Sequence, residues 1–289
     1  MRWSRRRFLA AAVAVPLAGA ACAGAGEGTE PGEGDGVHRY GTEDPQVGEL
    51  RVPPGAGPHP VAVLVHGGFW RSAYDRSLME PLATDLVARG WATWNIEYRR
   101  VGEPGGGWPG TFDDAAAAVD HLAALVTAGE TLDLERVVAI GHSAGGHLAL
   151  WLAGRPSLPA DAPGASPTVV VAAAVSQAGV ADLVAAAHGR VGGSAVPDLL
   201  GGDPGEVPDR YATASPVALV PMGVPTLCVH GEADPLVPID QSERWAAAAV
   251  GAGDPVELVA FAGGHFEVLD PAHESWRAVI ERLDGLVRR

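Results

Sequence analysis

Short runs of mainly apolar residues alternate with longer stretches of helical periodicity, and this alternation constrains the fold more than any other feature of the sequence. The runs have the length and composition of strands buried on both faces. They cover residues 61–65, 91–96, 137–140, 169–175, 226–229 and 256–261. Helical patterns cover residues 76–89, 112–127, 144–153, 241–250 and 274–288. The sequence therefore predicts an α/β domain, with a mainly parallel sheet and helices on both faces.

The composition excludes several classes of protein. The chain has 289 residues and a net charge of −15, and its 20 basic residues are all arginine, so it lacks the basic surface that binds nucleic acid. Two cysteines cannot supply a disulfide framework for a chain of this length. The sequence has no P-loop, no glycine-rich dinucleotide motif after the first strand and no tight metal-ligand spacing. We therefore expect no nucleic-acid partner, no metal and no cofactor.

Residues 1–21 are similar to an export signal. Arginines precede the apolar run Phe8–Ala21, which is too short to span a bilayer as a helix. Consecutive arginines within Ser4–Leu9 are typical of twin-arginine signals. We expect an exported protein, either secreted or held at the cell surface. A helical N-terminal tail that stays attached is the alternative.

The residues after this signal predict an anchor site and a linker. Cys22 follows small residues, as in bacterial lipoprotein cleavage sites, although Gly19 stands where leucine is usual. We expect either lipidation at Cys22, which would be the only link to a membrane, or plain cleavage nearby. Residues 22–45 are rich in glycine, glutamate and proline and predict a flexible linker. The globular domain is predicted at residues 46–289.

Residues 178–223 interrupt the alternation of strands and helices. This segment is rich in glycine, proline and aspartate and has only weak helical patterns. An excursion of this length within a compact domain is typical of a functional loop or cap. We expect it to shape the substrate pocket, and its mostly small, apolar side chains offer no evident anchor for a charged substrate.

The strand at 137–140 is followed by Gly-His-Ser-Ala-Gly at 141–145 and then by a helical run, which is the G-x-S-x-G pattern in its strand-turn-helix context. Gly141 and Gly145 lack Cβ atoms, so the strand and helix can approach closely around a sharp turn. The turn presents the hydroxyl of Ser143 at the sheet edge, where the helix N-terminus favours a developing negative charge. We predict that Ser143 is a nucleophile; a tight structural turn is the alternative.

A serine hydroxyl needs a base and a third group that orients the base. Two glycines precede His265 directly after the last predicted strand and let the loop reach back, so His265 is the predicted base. An acidic loop follows the strand at 226–229, and within it Asp234 is the predicted orienting carboxylate. Glu232 and Asp240 are the nearby alternatives.

Acyl transfer produces a tetrahedral oxyanion that needs preorganised N–H donors. The first predicted strand ends in His-Gly-Gly-Phe-Trp at 66–70, where glycines allow backbone N–H groups to face a substrate oxygen. We predict an oxyanion hole formed by Gly67, Gly68 and Ala144; a plain glycine turn is the alternative. Candidates for lining the substrate pocket are Phe69, Trp70 and His142. Packing in the core is the alternative for Trp70, and a side chain that points away from the pocket is the alternative for His142.

With these motifs the chain resembles the α/β-hydrolase superfamily. It is most similar to the branch that holds kynurenine formamidases (arylformamidases), related bacterial esterases and S9-type peptidases, over roughly residues 61–283. Further motifs that support the resemblance are Glu97–Arg99, Pro109, Asp113–Asp114, Leu199–Gly202, Tyr211–Pro216 and His230–Pro238. The resemblance implies a serine hydrolase without metal or cofactor, with Ser143, Asp234 and His265 as its triad and the order of these residues along the chain that is usual for the superfamily.

These observations lead to three competing functions. We predict an exported serine hydrolase that cleaves a small acyl or aryl ester through an acyl-enzyme. An arylformamidase-like amidase or an S9-like peptidase that acts on a small amide is the alternative among enzymes, although an export signal does not fit cytoplasmic kynurenine catabolism. An inactive hydrolase fold kept as a secreted binding module is the alternative from another class.

Overall fold

The computed structural model describes residues 36–287, which build an eight-stranded sheet. Its strands are β1 (Val37–Arg39), β2 (Val47–Arg51), β3 (His59–Val65), β4 (Ala92–Ile96), β5 (Leu132–His142), β6 (Ala173–Gln177), β7 (Thr226–Gly231) and β8 (Val256–Phe261). They lie in the order β1-β2-β4-β3-β5-β6-β7-β8. The β1–β2 and β2–β4 pairs are antiparallel and the other pairs are parallel. The predicted α/β fold with a mainly parallel sheet is confirmed.

Helices cover both faces of this sheet. Those of the described residues are α1 (Glu80–Ala88), α2 (Gly110–Asp120), α3 (Leu122–Thr127), α4 (Ala144–Gly154), α5 (Leu183–His188), α6 (Ala195–Leu200), α7 (Pro208–Ala214), α8 (Asp240–Ala252) and α9 (Glu274–Leu286). Short 3₁₀ turns lie at Arg76–Met79, Arg155–Ser157, Pro216–Ala218 and Glu267–Leu269. Apolar residues of α1 and α9 pack on one face, and those of α2, α4 and α8 pack on the other.

The central strand β3 shows why its sequence is continuously apolar. Val61, Val63 and Val65 belong to the hydrophobic cluster on the α2 and α4 side. Ala62 and Leu64 belong to the cluster on the α1 and α9 side. Successive side chains of a strand point to opposite faces, so a strand with helices on both sides needs apolar residues at every position.

The register of β3 with its two neighbours positions the candidate site. Val65 pairs with Ile96 at the end of β4, and on the other side it pairs with Gly141 near the end of β5. All three strands run in the same direction, so the residues that follow them meet at one edge of the sheet. This carboxyl edge is where ligands bind in sheets of this kind.

The sheet begins earlier in the chain than the sequence predicts. Val37–Arg39, which falls in the predicted linker, pairs with Val47–Arg51, and the predicted linker at 22–45 is therefore wrong for this part of the chain. Both strands are short and partly exposed at the sheet edge, so they lack the continuous apolar run that marks the inner strands. The strand predicted at 169–175 is also displaced, because β6 begins at Ala173.

The excursion at 178–223 contains the three short helices α5, α6 and α7. It packs against the loop that follows β3: the Arg71 guanidinium binds the Asp198 carboxylate at 2.5 Å, and a Cβ at Gly192 would stand 2.4 Å from the Phe69 ring. Each helix is only six or seven residues long. Helices this short depend on tertiary packing rather than on their own propensity, which explains their weak sequence signal.

The predictions about the N-terminal segment lie outside the described residues. They concern the export signal at 1–21, lipidation at Cys22 and the first part of the linker, and they stay predictions. Within residues 36–287, no helix is long and apolar enough to cross a bilayer.

Candidate active site

Ser143 lies on a sharp turn between β5 and α4. Its backbone has φ 56° and ψ −119°, which is outside the regions that residues with a side chain ordinarily adopt. A Cβ at Gly141 would stand 2.0 Å from the carbonyl oxygen of Gly145, and a Cβ at Gly145 would stand 2.0 Å from that of Val65. The close approach of strand and helix therefore requires both glycines. A strained serine in such a turn is typical of a nucleophile elbow.

Gly141→Ala is expected to destabilise the fold, because backbone atoms rather than a flexible side chain occupy the space of the new methyl group. Overpacking of this kind costs about 3 kcal/mol of unfolding free energy. Urea denaturation measures the loss. Gly285→Ala is the matched control, because position 285 lies within α9 and faces open space, where alanine stabilises a helix by up to about 1 kcal/mol. Equal stability of the two variants would contradict the requirement for glycine at position 141.

His265 and Asp234 form a buried hydrogen-bonded pair. His265 lies in the loop after β8, Asp234 lies after β7, and Nδ1 of the imidazole is 2.6 Å from Oδ2 of the carboxylate. The backbone N–H groups of Leu236 and Val237 donate to the other carboxylate oxygen, Oδ1. Burial raises the pKa of Asp234, but hydrogen bonds from His230, His265 and these N–H groups outweigh it and hold the pKa well below its usual range. Asp234 is therefore an anion that accepts the Nδ1–H of His265.

Ser143 and His265 line the same cavity at the carboxyl edge of the sheet. With Nδ1–H donated to Asp234, a neutral His265 keeps its lone pair on Nε2. Within residues 36–287, the Ser143 hydroxyl forms no hydrogen bond with a protein group, and Ser143 itself is 2% exposed. The structure thus places Ser143 and His265 at one cavity and joins His265 to Asp234; the role of the three residues as a triad stays a prediction.

Two backbone segments supply N–H donors next to Ser143. A Cβ at Gly67 would stand 2.9 Å from the Cβ of Ser143, and Gly68, with φ 115°, lines the same cavity as the serine. In the described part of the chain, the N–H groups of Gly68, Phe69 and Ala144 donate to no backbone acceptor. Unpaired donors beside a nucleophile are what an oxyanion hole requires. Phe69 is an additional donor of this kind.

The cavity has a volume of about 290 Å³ including its open mouth, and its lining is mainly apolar. The lining residues are Gly68, Phe69, Tyr74, Leu78, His142, Ser143, Leu236, His265 and Phe266. Three of them, Tyr74, Leu236 and Phe266, are large apolar side chains that are 38–47% exposed, and we call them the apolar rim. These three residues and Leu78 were not predicted from the sequence. Leu236 and Phe266 lie next to the predicted Asp234 and His265 in the chain, which is a usable signal, whereas Tyr74 and Leu78 belong to no motif.

Of the candidates for the pocket lining, Phe69 and His142 lie at the cavity and Trp70 does not. Trp70 is 1% exposed, and its indole N–H donates to Nδ1 of His147 at 3.2 Å. Packing in the core is therefore the correct alternative for Trp70. His142 packs its ring 4.7 Å from that of His265 and donates Nε2–H to the His265 carbonyl oxygen at 2.9 Å.

The alternative carboxylates do not reach the imidazole of His265. Asp240 is half exposed and pairs with Arg244 at 3.3 Å, and Glu232 is exposed. His230 is buried and binds Ser242 Oγ at 2.7 Å and the Val237 carbonyl oxygen at 2.9 Å, so it supports the Asp234 loop. Among residues 36–287, no group of three histidine, cysteine or acidic side chains is placed to hold a metal ion.

Two buried histidines are expected to make the fold sensitive to acid. Burial lowers the pKa of His142 to about 3 and that of His147 to about 4, because the charged ring would lose its hydration. The unfolded chain binds these protons near pH 6.5 and the folded chain does not, so the unfolding free energy falls as the pH drops below about 6.5. For two such groups the slope approaches about 2.7 kcal/mol per pH unit.

Urea denaturation between pH 7 and pH 4.5 measures this slope. His147→Gln removes one of the two groups and keeps an amide donor for the Ala214 carbonyl oxygen that His147 binds at 2.9 Å. We expect the slope of this variant to be smaller by about half. An unfolding free energy that stays constant over this pH range in the wild type would refute the prediction.

A nucleophile elbow, a His–Asp pair and unpaired N–H donors at the carboxyl edge of a mainly parallel sheet define the α/β-hydrolase class of proteins. The predicted superfamily is confirmed by the comparisons with known proteins. A family model described as BD-FAE matches residues 50–248, more than half of the chain, and the chain belongs to this family.

Three similar proteins illustrate the relationship. The esterase LipQ of Mycobacterium tuberculosis is 32% identical over 198 residues, which are 67% of this chain and 46% of LipQ, so the chain spans about half the length of this curated relative. The structure of an acetyl ester-xyloside bifunctional hydrolase from Caldicellulosiruptor lactoaceticus superimposes with a TM-score of 0.65 at 26% identity and covers 84% of this chain and 86% of that one. A truncated carbohydrate esterase from gut microbiota gives a TM-score of 0.75 at 20% identity, over 87% and 95% of the two chains, and shows the shared fold.

Proposed function

We propose that the protein is a serine hydrolase that cleaves carboxylic esters. The observation that carries the proposal is the cavity in which the Ser143 hydroxyl, the imidazole of the His265–Asp234 pair and the unpaired N–H group of Gly68 meet. The family supports it, since LipQ is named an esterase and the Caldicellulosiruptor protein is named an acetyl ester-xyloside hydrolase.

The proposed reaction proceeds in two halves. Ser143 Oγ attacks the ester carbonyl carbon while His265 Nε2 takes its proton, and the Asp234 carboxylate stabilises the resulting imidazolium. The oxyanion accepts hydrogen bonds from the N–H groups of Gly68 and Ala144. When the carbon–oxygen bond to the alcohol breaks, His265 returns the proton to the leaving alcohol and an acyl-enzyme remains. Water then attacks the acyl carbon and loses a proton to His265. When the bond between the acyl carbon and Ser143 Oγ breaks, His265 returns this proton to Oγ and the carboxylic acid leaves.

A fluorophosphonate probe tests the proposed nucleophile. We expect the probe to label the wild type and to leave Ser143→Ala unlabelled, because the reagent reacts with an activated serine hydroxyl. Ser157→Ala is the matched control, since Ser157 is an exposed serine on a surface turn, and it should be labelled like the wild type. Equal labelling of wild type and Ser143→Ala would end the proposal.

The cavity supports a small, uncharged acyl ester as substrate. Its lining offers few polar groups apart from the candidate catalytic residues, and the apolar rim extends it toward solvent. Assays of p-nitrophenyl esters of increasing acyl length beside an N-formyl aromatic amine distinguish this substrate class from the amide alternative. Faster turnover of the formamide than of every ester would favour an amidase.

Phe266→Ala is expected to lower kcat/KM for a butyryl ester about tenfold and for an acetyl ester much less, because Phe266 lies at the cavity mouth where only a longer chain reaches it. Loss of one apolar contact to a substrate is worth about 1–3 kcal/mol. Val250→Ala is the control, because Val250 is also an exposed apolar residue but does not line the cavity. An equal decrease for both esters would contradict a role of the apolar rim in acyl selection.

We also propose that the protein acts outside the cytoplasm. The support is the twin-arginine pattern at Ser4–Leu9, followed by an apolar run. Fractionation of cells that express the whole chain and a variant with Arg5 and Arg6 changed to lysine is the test. The wild type is expected outside the cytoplasm and the variant inside; wild type found in the cytoplasm would refute export.

A further inference from the structure

A buried pair, His66 and Glu97, lies directly behind the loop that carries Gly67 and Gly68. His66 follows β3 and Glu97 follows β4, and the two strands pair with Val65 beside Ile96, so the residues that follow them are neighbours. His66 Nε2 is 2.7 Å from Glu97 Oε1, and both side chains are buried. A buried histidine–carboxylate pair contributes little to net stability, so its place next to the site calls for a functional explanation.

The partners of the His66 ring determine where its protons are. Nδ1 is 2.7 Å from the carbonyl oxygen of Gly67, which can only accept, so Nδ1 carries a proton. Nε2 faces the Glu97 carboxylate, which also receives the Arg76 backbone N–H at 3.1 Å and the Arg100 guanidinium at 3.2 Å. The Nε2 side of the ring is thus held by a carboxylate that two other donors fix in place.

The pKa of the Glu97 carboxyl group agrees with the donors that surround it. Burial raises the pKa of Glu97, but the hydrogen bond from His66 and the electrostatic interactions with His66 and Arg100 outweigh it, and the pKa lies below its usual value. Tyr98 fixes the position of His66. Its ring stacks on the His66 ring with centroids 4.4 Å apart, and its hydroxyl donates to the His66 carbonyl oxygen at 2.9 Å.

The bond from His66 Nδ1 orients one peptide group of the loop. The Gly67–Gly68 peptide is trans, so its N–H points away from its C=O. The C=O faces the buried ring of His66, and the N–H of Gly68 therefore points to the opposite side, where Gly68 lines the cavity. This orientation of the peptide requires φ 115° at Gly68, a value that glycine adopts readily.

We propose that His66 and Glu97 are positioning residues of the oxyanion hole. The His66 ring, held by the Glu97 carboxylate, keeps the Gly67 carbonyl turned inward and thereby keeps the Gly68 N–H aimed at the oxyanion. This inference rests on the proposed function, because it assigns the pair a role in the same reaction. The oxyanion forms only during the reaction, so loss of the orientation lowers kcat with little change in KM.

Two amide variants distinguish the two hydrogen bonds of the His66 ring, which are Nδ1 to Gly67 and Nε2 to Glu97. His66→Asn places an amide nitrogen near the position of Nδ1 and keeps the bond to Gly67, whereas His66→Gln reaches toward Glu97 and loses that bond. We expect kcat of His66→Gln on a short p-nitrophenyl ester to fall on the order of 10²-fold, the cost of one oxyanion donor. His66→Asn is expected to retain about tenfold more activity than His66→Gln, with similar KM in both. Equal losses of kcat in the two variants would overturn the proposal.

A control and a second readout make the test independent of folding. His59→Asn changes a buried histidine at the opposite end of the same strand and is expected to leave kcat unchanged. Nitrogen-15 NMR of the wild-type imidazoles is expected to show a proton on Nδ1 of His66, and an Nδ1 without a proton would overturn the proposal. If the wild type cleaves no ester, the proposed function fails, and the NMR result still decides whether His66 donates to Gly67.

Discussion

Ser143→Ala is expected to lower kcat on a short p-nitrophenyl ester by about 10⁶-fold, the loss seen when the nucleophile of a serine hydrolase is removed. The reason is geometric: the serine lies on the strained turn between β5 and α4, and within residues 36–287 no other serine or threonine hydroxyl lines the cavity with His265. Steady-state assays with purified protein measure the loss.

The double variant Ser143→Ala with His265→Ala sharpens this prediction. The nucleophile and the base act as a unit, so the second substitution is expected to remove little of the activity that remains. Ser157→Ala, on the surface, is expected to keep wild-type activity. A residual kcat of Ser143→Ala within about tenfold of the wild type would show that another group carries out the attack.

Asp234→Asn is expected to lower kcat by about 10⁴-fold without unfolding the protein. An amide in place of the carboxylate presents a donor to Nδ1 of His265, and the neutral imidazole then carries its proton on Nε2, where it cannot accept the proton of Ser143. The fold is expected to persist, because an amide oxygen can still accept the N–H groups of Leu236 and Val237 that bind Oδ1.

The control for this prediction is Asp240→Asn. Asp240 is the first residue of α8, is half exposed, and pairs with Arg244 rather than with His265. Its substitution is expected to leave kcat unchanged, and thermal denaturation of both variants verifies that they are folded. Loss of activity in Asp240→Asn equal to that in Asp234→Asn would contradict the assignment of the orienting carboxylate.

The inner strands and the turn at Ser143 were predictable from the sequence because the requirements for burial and close approach act on neighbouring residues. A strand covered on both faces is largely apolar, and this makes β3, β4 and β7 recognisable as mainly apolar runs. The turn at Ser143 leaves no space for a Cβ at Gly141 or Gly145, so its steric requirement is expressed directly as residue type.

The edge strands and the short helices of residues 178–223 were not predictable in the same way. β1 is the edge strand and β2 lies between it and β4; the side chains of both are only partly buried, so their sequence carries no apolar run. The helices α5, α6 and α7 are held by contacts such as that between Arg71 and Asp198, which joins residues far apart in the chain. A pattern within one segment cannot reveal contacts of this kind.

The class of fold, the sharp turn at Ser143 and the loops that carry Asp234 and His265 could be predicted from the sequence. Periodicity and glycine sterics act between near neighbours in the chain, so local patterns express them. Three features became known only from the tertiary structure. Trp70 packs against His147 rather than in the cavity, Tyr74 and Phe266 border the cavity mouth, and His66 binds Glu97. The physical reason is that these contacts depend on the register between β3 and β4 and on the convergence of separate loops at one sheet edge, which no local pattern encodes.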